Sequence, residues 1–191
     1  WNAHDVLHNS HKNYAGRPGT VGDRPGNFIA ENCDLLVVLG SILNIRQIGY
    51  NFKEFSKRSF KIMVDVDEQE LNKKTLNIDL KLNYDLKEFL VTLNKKSKKI
   101  DNENHVNYLK WCKKLLNEYP VFSSKQISDK KINPYHFVNE LFDQLKNKQI
   151  IVTSDGTAVV TTFQGAILKP GQRLFSNSGS ASMGFGLPAA I

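Results

Sequence analysis

Cysteine is scarce: Cys33 and Cys112 are the only two in 191 residues. That excludes a disulfide framework, and no four-ligand Cys/His cluster stands at zinc spacing. Such usage fits a reducing compartment and predicts a cytoplasmic protein. No apolar run approaches the roughly 18 residues a membrane helix needs, and no signal-peptide segment opens the chain, so no membrane partner is expected. Only 6 prolines and 12 glycines are present, which excludes collagen-like and low-complexity chains. What is there suits a packed core, with 40% hydrophobic and 24% charged residues. The chain starts at Trp1 and stops in Leu187-Pro188-Ala189-Ala190-Ile191, apolar and without a helix stop signal. Both ends are expected to be cuts.

The net charge of +7 is concentrated in one place. Residues 94–131 hold ten lysines (95, 96, 98, 99, 110, 113, 114, 125, 130 and 131) against Asp101, Glu103, Glu118 and Asp129, which leaves six of the seven excess positive charges there. Nucleic-acid binders more often combine arginines with interleaved aromatics. This run is lysine-only, with Tyr108 and Trp111 loosely placed, and reads as a solvated connector with no nucleic-acid partner.

The order of elements predicts an α/β fold. Asp34-Leu35-Leu36-Val37-Val38-Leu39 is a continuous apolar run ending in Gly40-Ser41, as in a strand buried on both faces of a parallel sheet. A β-branched run over 60–67 and a weaker one over 78–82 follow, with helices expected over 26–32, 69–74 and 84–95. The last has Leu86, Phe89, Leu90 and Leu93 at spacings of 3 and 4. This first unit, 1–93, is Rossmann-like. A connector over 94–132 carries a short helix over 105–117 with a narrow apolar stripe of Val106, Leu109, Leu115 and Leu116. A second α/β unit, 133–191, opens with Asn133 as N-cap and Pro134 at the first helical position. Its helix is expected to reach about residue 147, before a strand over 149–153, a turn at Asp155-Gly156, a helix from Thr157 and a strand over 173–176.

The segment most suited to chemistry is the small-residue turn after that strand. Residues 176–182 carry little side chain, so backbone groups can approach a ligand closely; the turn is either a cofactor site or a tight packing corner. Ser154-Asp155-Gly156-Thr157 is equally compatible with a plain strand-to-helix turn.

The order of residues here resembles the thiamine diphosphate-dependent enzymes, and among them the acetolactate synthase group. The match is Ser178-Gly179-x-x-x-Met183-Gly184-Phe185-Gly186-Leu187-Pro188-Ala189-Ala190-Ile191, with Ser154-Asp155-Gly156 before it. At the N-terminal end it is Asn32-x-Asp34-Leu35-Leu36-x-x-Leu39-Gly40-Ser41 and Ile62-x-Val64-Asp65-Val66-Asp67. The resemblance implies that 1–93 is the C-terminal portion of a middle domain and 133–191 the start of a thiamine diphosphate-binding domain. That coenzyme is activated by its own aminopyrimidine ring, so it must be folded into a V and kept dry. Met183 stands where the family places the apolar side chain under the bend. Ala181, where close relatives usually have Gly, stands where a backbone carbonyl accepts from the pyrimidine amine. Gly179 and Ser182 flank these positions, and Asp155, Gly156 and Thr157 would lie beside the diphosphate.

The resemblance further implies Mg held by a Gly-Asp-Gly motif beyond Ile191, an activating glutamate before Trp1, and an active site formed between subunits of a homo-oligomer. The implied substrate is a 2-keto acid such as pyruvate, decarboxylated and ligated to a second carbonyl; this piece alone is predicted inactive. FAD is an open question. Arg46 is available for a phosphate, Asp65 for ribose hydroxyls, and Gly40 ends the first strand, but Ile42 and Ile45 replace the polar residues of flavin-binding members. The loop 14–20 would cover that site. Surface pairing for Arg46 and helix capping for Asp65 are the plainer roles. Two other readings stay open: a simple 2-keto acid decarboxylase, and a non-catalytic nucleotide-binding module. His4, His8 and His11, on an exposed N-terminal segment, promise no fixed metal geometry. His136 is expected to be exposed and Cys33 to be a small core residue.

Overall fold

The structure is a computed structural model and describes residues 3–97, 103–127 and 130–191. Trp1, Lys98, Lys99, Asp101 and Asp129, named above, lie outside the described residues. Helix α1 (Arg24–Glu31) starts where Asp23 accepts a hydrogen bond from the Gly26 N–H at 2.6 Å, with Pro25 in the first turn. Strand β1 (Leu35–Leu39), the short helix α2 (Ile45–Ile48), β2 (Phe60–Asp65), α3 (Glu68–Asn72), β3 (Leu80–Asn83) and α4 (Leu86–Lys96) follow. The strands form a parallel sheet in the order β1-β2-β3, with Val37 opposite Ile62 and Ile62 opposite Leu80. Its core is Ala30, Val38, Leu43, Ile48, Phe55, Met63 and Leu71.

Three expectations about this unit are revised. β1 is an edge strand, and only one of its faces is covered: Val38 is buried, whereas Leu35, Val37 and Leu39 are exposed. Helix α4 is capped by Asp85 and has no fully buried residue: Leu86 and Phe89 are half-buried, whereas Leu90 and Leu93 are exposed. The helix-capping acid after β2 is Asp67, which accepts from the Gln69 N–H at 2.8 Å, and not Asp65.

The connector is also more structured than its polarity suggests. Helix α5 (Glu103–Glu118) is 16 residues long and contacts α1; its Cys112 and Leu115 are buried, while Val106 is exposed. The Tyr108 hydroxyl donates to the Ile29 carbonyl at 2.9 Å. Burial raises the pKa of the Tyr108 phenol and of the Cys112 thiol above their ordinary values.

The second unit comprises α6 (Pro134–Gln144), β4 (Ile150–Thr153), α7 (Thr157–Gly165), β5 (Arg173–Ser176) and α8 (Gly186–Ala190), with β4 and β5 parallel. Helix α6 ends earlier than its periodicity predicts. Leu145 is already extended, and the Lys169 ammonium donates to the freed carbonyls of Asp143 and Leu145, each at 2.7 Å. The core is Val138, Phe142, Ala166, Leu168 and Leu174.

The N-terminal segment, expected to be exposed, is tied into this second unit. Buried Asp5 accepts from Arg173 Nε and from the Leu174 N–H, each at 2.8 Å. Asn9 pairs with Leu168 through both its backbone N–H and its side-chain oxygen. The Arg17 guanidinium, 4% exposed, donates to the carbonyls of Phe163 (2.8 Å) and Ala166 (3.0 Å) and to Asn9 Oδ1 (3.0 Å). Among the described residues no helix is long and apolar enough to cross a membrane.

Candidate coenzyme site

A parallel strand pair places its two C-terminal ends side by side, and in α/β sheets that edge is where ligands bind. Here Thr153 of β4 pairs with Ser176 of β5, so the turn 154–157 and the bend 177–185 leave the sheet next to each other. Contact across the edge is close. A Cβ on Gly186, at the start of α8, would lie 3.0 Å from the Ser154 Cβ and 3.3 Å from its nitrogen. The two segments singled out in the sequence are therefore brought together by one strand pairing.

Each segment has features of a site and not only of a turn. Gly156 caps α7 at φ 72°, ψ −141°, a conformation essentially reserved for glycine, and open space surrounds the position a Cβ would take. Thr157 begins α7, whose first N–H groups have no intrahelical acceptors. Asp155 Oδ2 is buried without a hydrogen-bond partner among the described residues, and so is Ser176 Oγ. In the bend, Ala181 is held at φ 50° while its N–H donates to the Asn177 carbonyl at 2.7 Å. The Ser182 carbonyl accepts from the Phe185 N–H, and a Cβ on Gly179 would meet nothing within 4 Å. Met183 is 94% exposed.

Ala181 makes this bend a strained one. An L-residue in the left-handed region is disfavoured by roughly 1–2 kcal/mol, and part of that is offset because alanine restricts the unfolded chain. Ala181→Gly is expected to stabilise the fold by about 0.5–1 kcal/mol, read as a rise of a few degrees in thermal unfolding. A decrease would show that the methyl group is packed and not strained.

The predicted residues of the first unit do not gather in one place. Gly40, at the end of β1, lines a cavity of about 750 Å³ together with Tyr14, Arg17, Ser41, Ile42 and Phe163, so the loop beginning at Tyr14 does lie beside the strand end. Arg46 and Asp65 are not among its lining residues. The Arg46 guanidinium instead donates to the Ser178 carbonyl in the bend, and so bridges the two units. Buried Asp65 accepts from the Asp67 N–H at 2.9 Å and so is engaged in its own turn. In this lining Arg17 donates to backbone carbonyls and Ile42 is apolar, and Asn13, Ser41, Asn44 and Gln47 supply polar side chains.

The remaining candidates have structural partners. The His4 ring meets Phe163 edge-on at 4.8 Å, and His8 lies 5.7 Å from His11, but among the described residues no three His, Cys, Asp or Glu are placed to hold a metal. His136 is half-buried, stacked on Phe122 at 5.2 Å. Cys33 is only half-buried, with Sγ 3.3 Å from the Ala30 carbonyl. Sequence reasoning missed Arg17 and Asp5. The available signal was that Arg17 is one of only five arginines in a lysine-rich chain, since the forked guanidinium serves several fixed acceptors where an ammonium cannot.

Comparisons with known proteins place the chain among its relatives. Residues 1–93 match the central domain of the thiamine pyrophosphate enzymes. The chain is similar to the acetolactate synthase large subunit of Cyanidium caldarium, at 32% identity over 93% of this chain and 30% of that protein. It is also similar to the acetolactate synthase isozyme 1 large subunit of Escherichia coli (28%, covering 97% and 32%) and to the large subunit from Lactococcus lactis (28%, covering 95% and 31%). It thus spans about a third of the length of these curated relatives. Residues 1–93 match the thiamine pyrophosphate enzyme central domain, within a chain that is similar to acetolactate synthase large subunits over more than nine-tenths of its length.

Proposed function

We propose that this chain is part of a thiamine diphosphate-dependent enzyme that decarboxylates pyruvate or another 2-keto acid and joins the two-carbon unit to a second carbonyl. Residues 1–93 serve as its middle domain, 94–132 as the connector and 133–191 as the start of the coenzyme-binding domain. The observation that carries this reading is the β4–β5 pairing, which sets Asp155-Gly156-Thr157 beside the bend that ends at Met183. The names of the relatives, all acetolactate synthase large subunits, support it.

The residue types suit their tasks. Unpaired N–H groups at the start of α7 attract a diphosphate, and Gly156 leaves the space in front of them open. Gly179 and Ser182 keep side chains out of the coenzyme's path. The positive φ of Ala181 turns the backbone so that its carbonyl can accept from the pyrimidine amine. Met183 presents a large apolar side chain to support the folded coenzyme. The buried, unpartnered Asp155 Oδ2 is an acceptor awaiting a donor or a cation at the same edge. When bound, the coenzyme supplies the electron sink for decarboxylation. Mg would join it through oxygen ligands. The intact enzyme is proposed to work as a homo-oligomer.

The test is an assay of the complete enzyme with pyruvate. The expected outcome is pyruvate consumption that depends on added thiamine diphosphate and Mg, with acetolactate as product. Acetaldehyde in place of acetolactate would move the assignment to a simple decarboxylase. No coenzyme-dependent turnover, together with no coenzyme binding by calorimetry, would overturn it.

A further inference from the structure

At the opposite end of the three-stranded sheet from Gly40 and Asp65 lies a cavity of about 240 Å³ lined by Lys53, Lys57, Ser59, Lys61, Thr75 and Asn77, among others. Lys61 is the unusual member. It is the second residue of β2 and only 6% exposed, and lysine is almost never buried unless its charge is paired. Its ammonium has three N–H donors, yet among the described residues it donates to the Ser59 carbonyl at 3.2 Å, a neutral acceptor. Among those residues no carboxylate forms an ion pair with it.

The nearby acids are otherwise engaged. Asp79, on the cavity wall, accepts from the Lys61 backbone N–H at 2.8 Å, and Glu54 pairs with Lys57 at 3.1 Å. A second buried donor is also unused: Thr75 Oγ1 has no partner among the described residues. The cavity therefore collects three ammonium groups, of which that of Lys57 is paired with Glu54, together with a hydroxyl without a partner among the described residues, the Asn77 amide and the single Asp79 carboxylate, around a space below the usual range of drug-sized ligand pockets.

We propose that this pocket binds a small oxyanion of the phosphate class, with Lys61 as the buried anchor and Lys53 and Lys57 closing over it from the rim. An oxyanion answers the donor groups at once, and the three lysines outnumber the Asp79 carboxylate on the wall. It accepts from the ammonium donors and the threonine hydroxyl, and it compensates the buried charge that the protein itself leaves unpaired. The site stands apart from the β4–β5 edge, so it is independent of the activity proposed above.

The experiment is calorimetric titration of the protein with inorganic phosphate, with ionic strength held constant by chloride. Wild type is expected to show saturable binding at one site. Lys61→Met is expected to weaken it by at least about tenfold, the loss of a charge-assisted hydrogen bond. Lys53→Ala combined with Lys57→Ala, both at exposed positions, is expected to weaken it several-fold without altering the fold, and this variant decides the matter if Lys61→Met does not fold. Absence of phosphate heat above that of chloride, or binding unchanged in the variants, would overturn the proposal.

Discussion

Replacing Arg17 with methionine is expected to lower the unfolding free energy by about 2–5 kcal/mol, with a fall in melting temperature on the order of 5–15 °C for a chain of this size. Arg17 is buried, and its guanidinium serves three acceptors at once: the Phe163 and Ala166 carbonyls and Asn9 Oδ1. Methionine fills similar volume but offers no donor, so the Phe163 and Ala166 carbonyls lose this partner and Asn9 Oδ1 keeps only the Leu168 N–H. A positive charge at a helix C-terminus is also favourable in itself. Arg17→Lys separates the two contributions. Lysine keeps the charge, but a single ammonium cannot span acceptors arranged for a planar fork, so it should recover only part of the loss. Urea unfolding of the three proteins measures this directly. A loss under about 1 kcal/mol in Arg17→Met would mean that the first and second units hold together without this contact.

That contact also explains which parts of the molecule could be foreseen. The parallel α/β arrangement follows from local patterns: apolar runs at 34–39 and 60–65, the Asn133-Pro134 start of α6, and the turn at Gly156 all declare themselves within a few neighbouring residues. The juxtaposition of the turn 154–157 with the bend 177–185 was legible too, since it follows once β4 and β5 are taken as parallel neighbours. Long-range polar contacts leave no such trace. Arg17 acts on residues 146 and 149 positions away, and Arg46 on Ser178, 132 positions away. A periodicity window contains only one end of each pair. Local reading therefore assigns Arg46 to a phosphate or a surface pair, whereas in the fold it reaches a backbone carbonyl of the bend. The burial of β1 is overestimated for a related reason. A continuous apolar run predicts that both faces will be covered, but it cannot specify which chain segment does the covering, and within the described residues Leu35, Val37 and Leu39 stay 38–50% exposed. In α5 the polar composition masks how far the helix is held: Cys112 and Leu115 are buried, and Tyr108 and Tyr119 reach Ile29 and Phe28 of α1.

Met183→Ala in the complete enzyme is expected to reduce keto-acid turnover on the order of 10²-fold, the scale of a misplaced reacting group, while leaving stability within about 0.5 kcal/mol of wild type. The combination is informative because the two readouts are set by different physics. A methionine that is 94% exposed contributes almost no buried area to folding, so its truncation removes nothing that the fold depends on. If its purpose is to support a folded coenzyme, the same truncation removes that support, and the reacting rings lose their relative alignment. Met183→Leu, similar in volume and also apolar, should restore most of the turnover, whereas Met183→Gln, similar in length but polar, should not. Coenzyme affinity should change much less than turnover if, as proposed above, the start of α7 and not Met183 holds the diphosphate. Equal turnover in wild type and Met183→Ala would remove the support role. A large loss of stability in Met183→Ala would instead mean that this side chain is packed against protein in the intact enzyme, and its place in the site would then have to be assigned to packing alone.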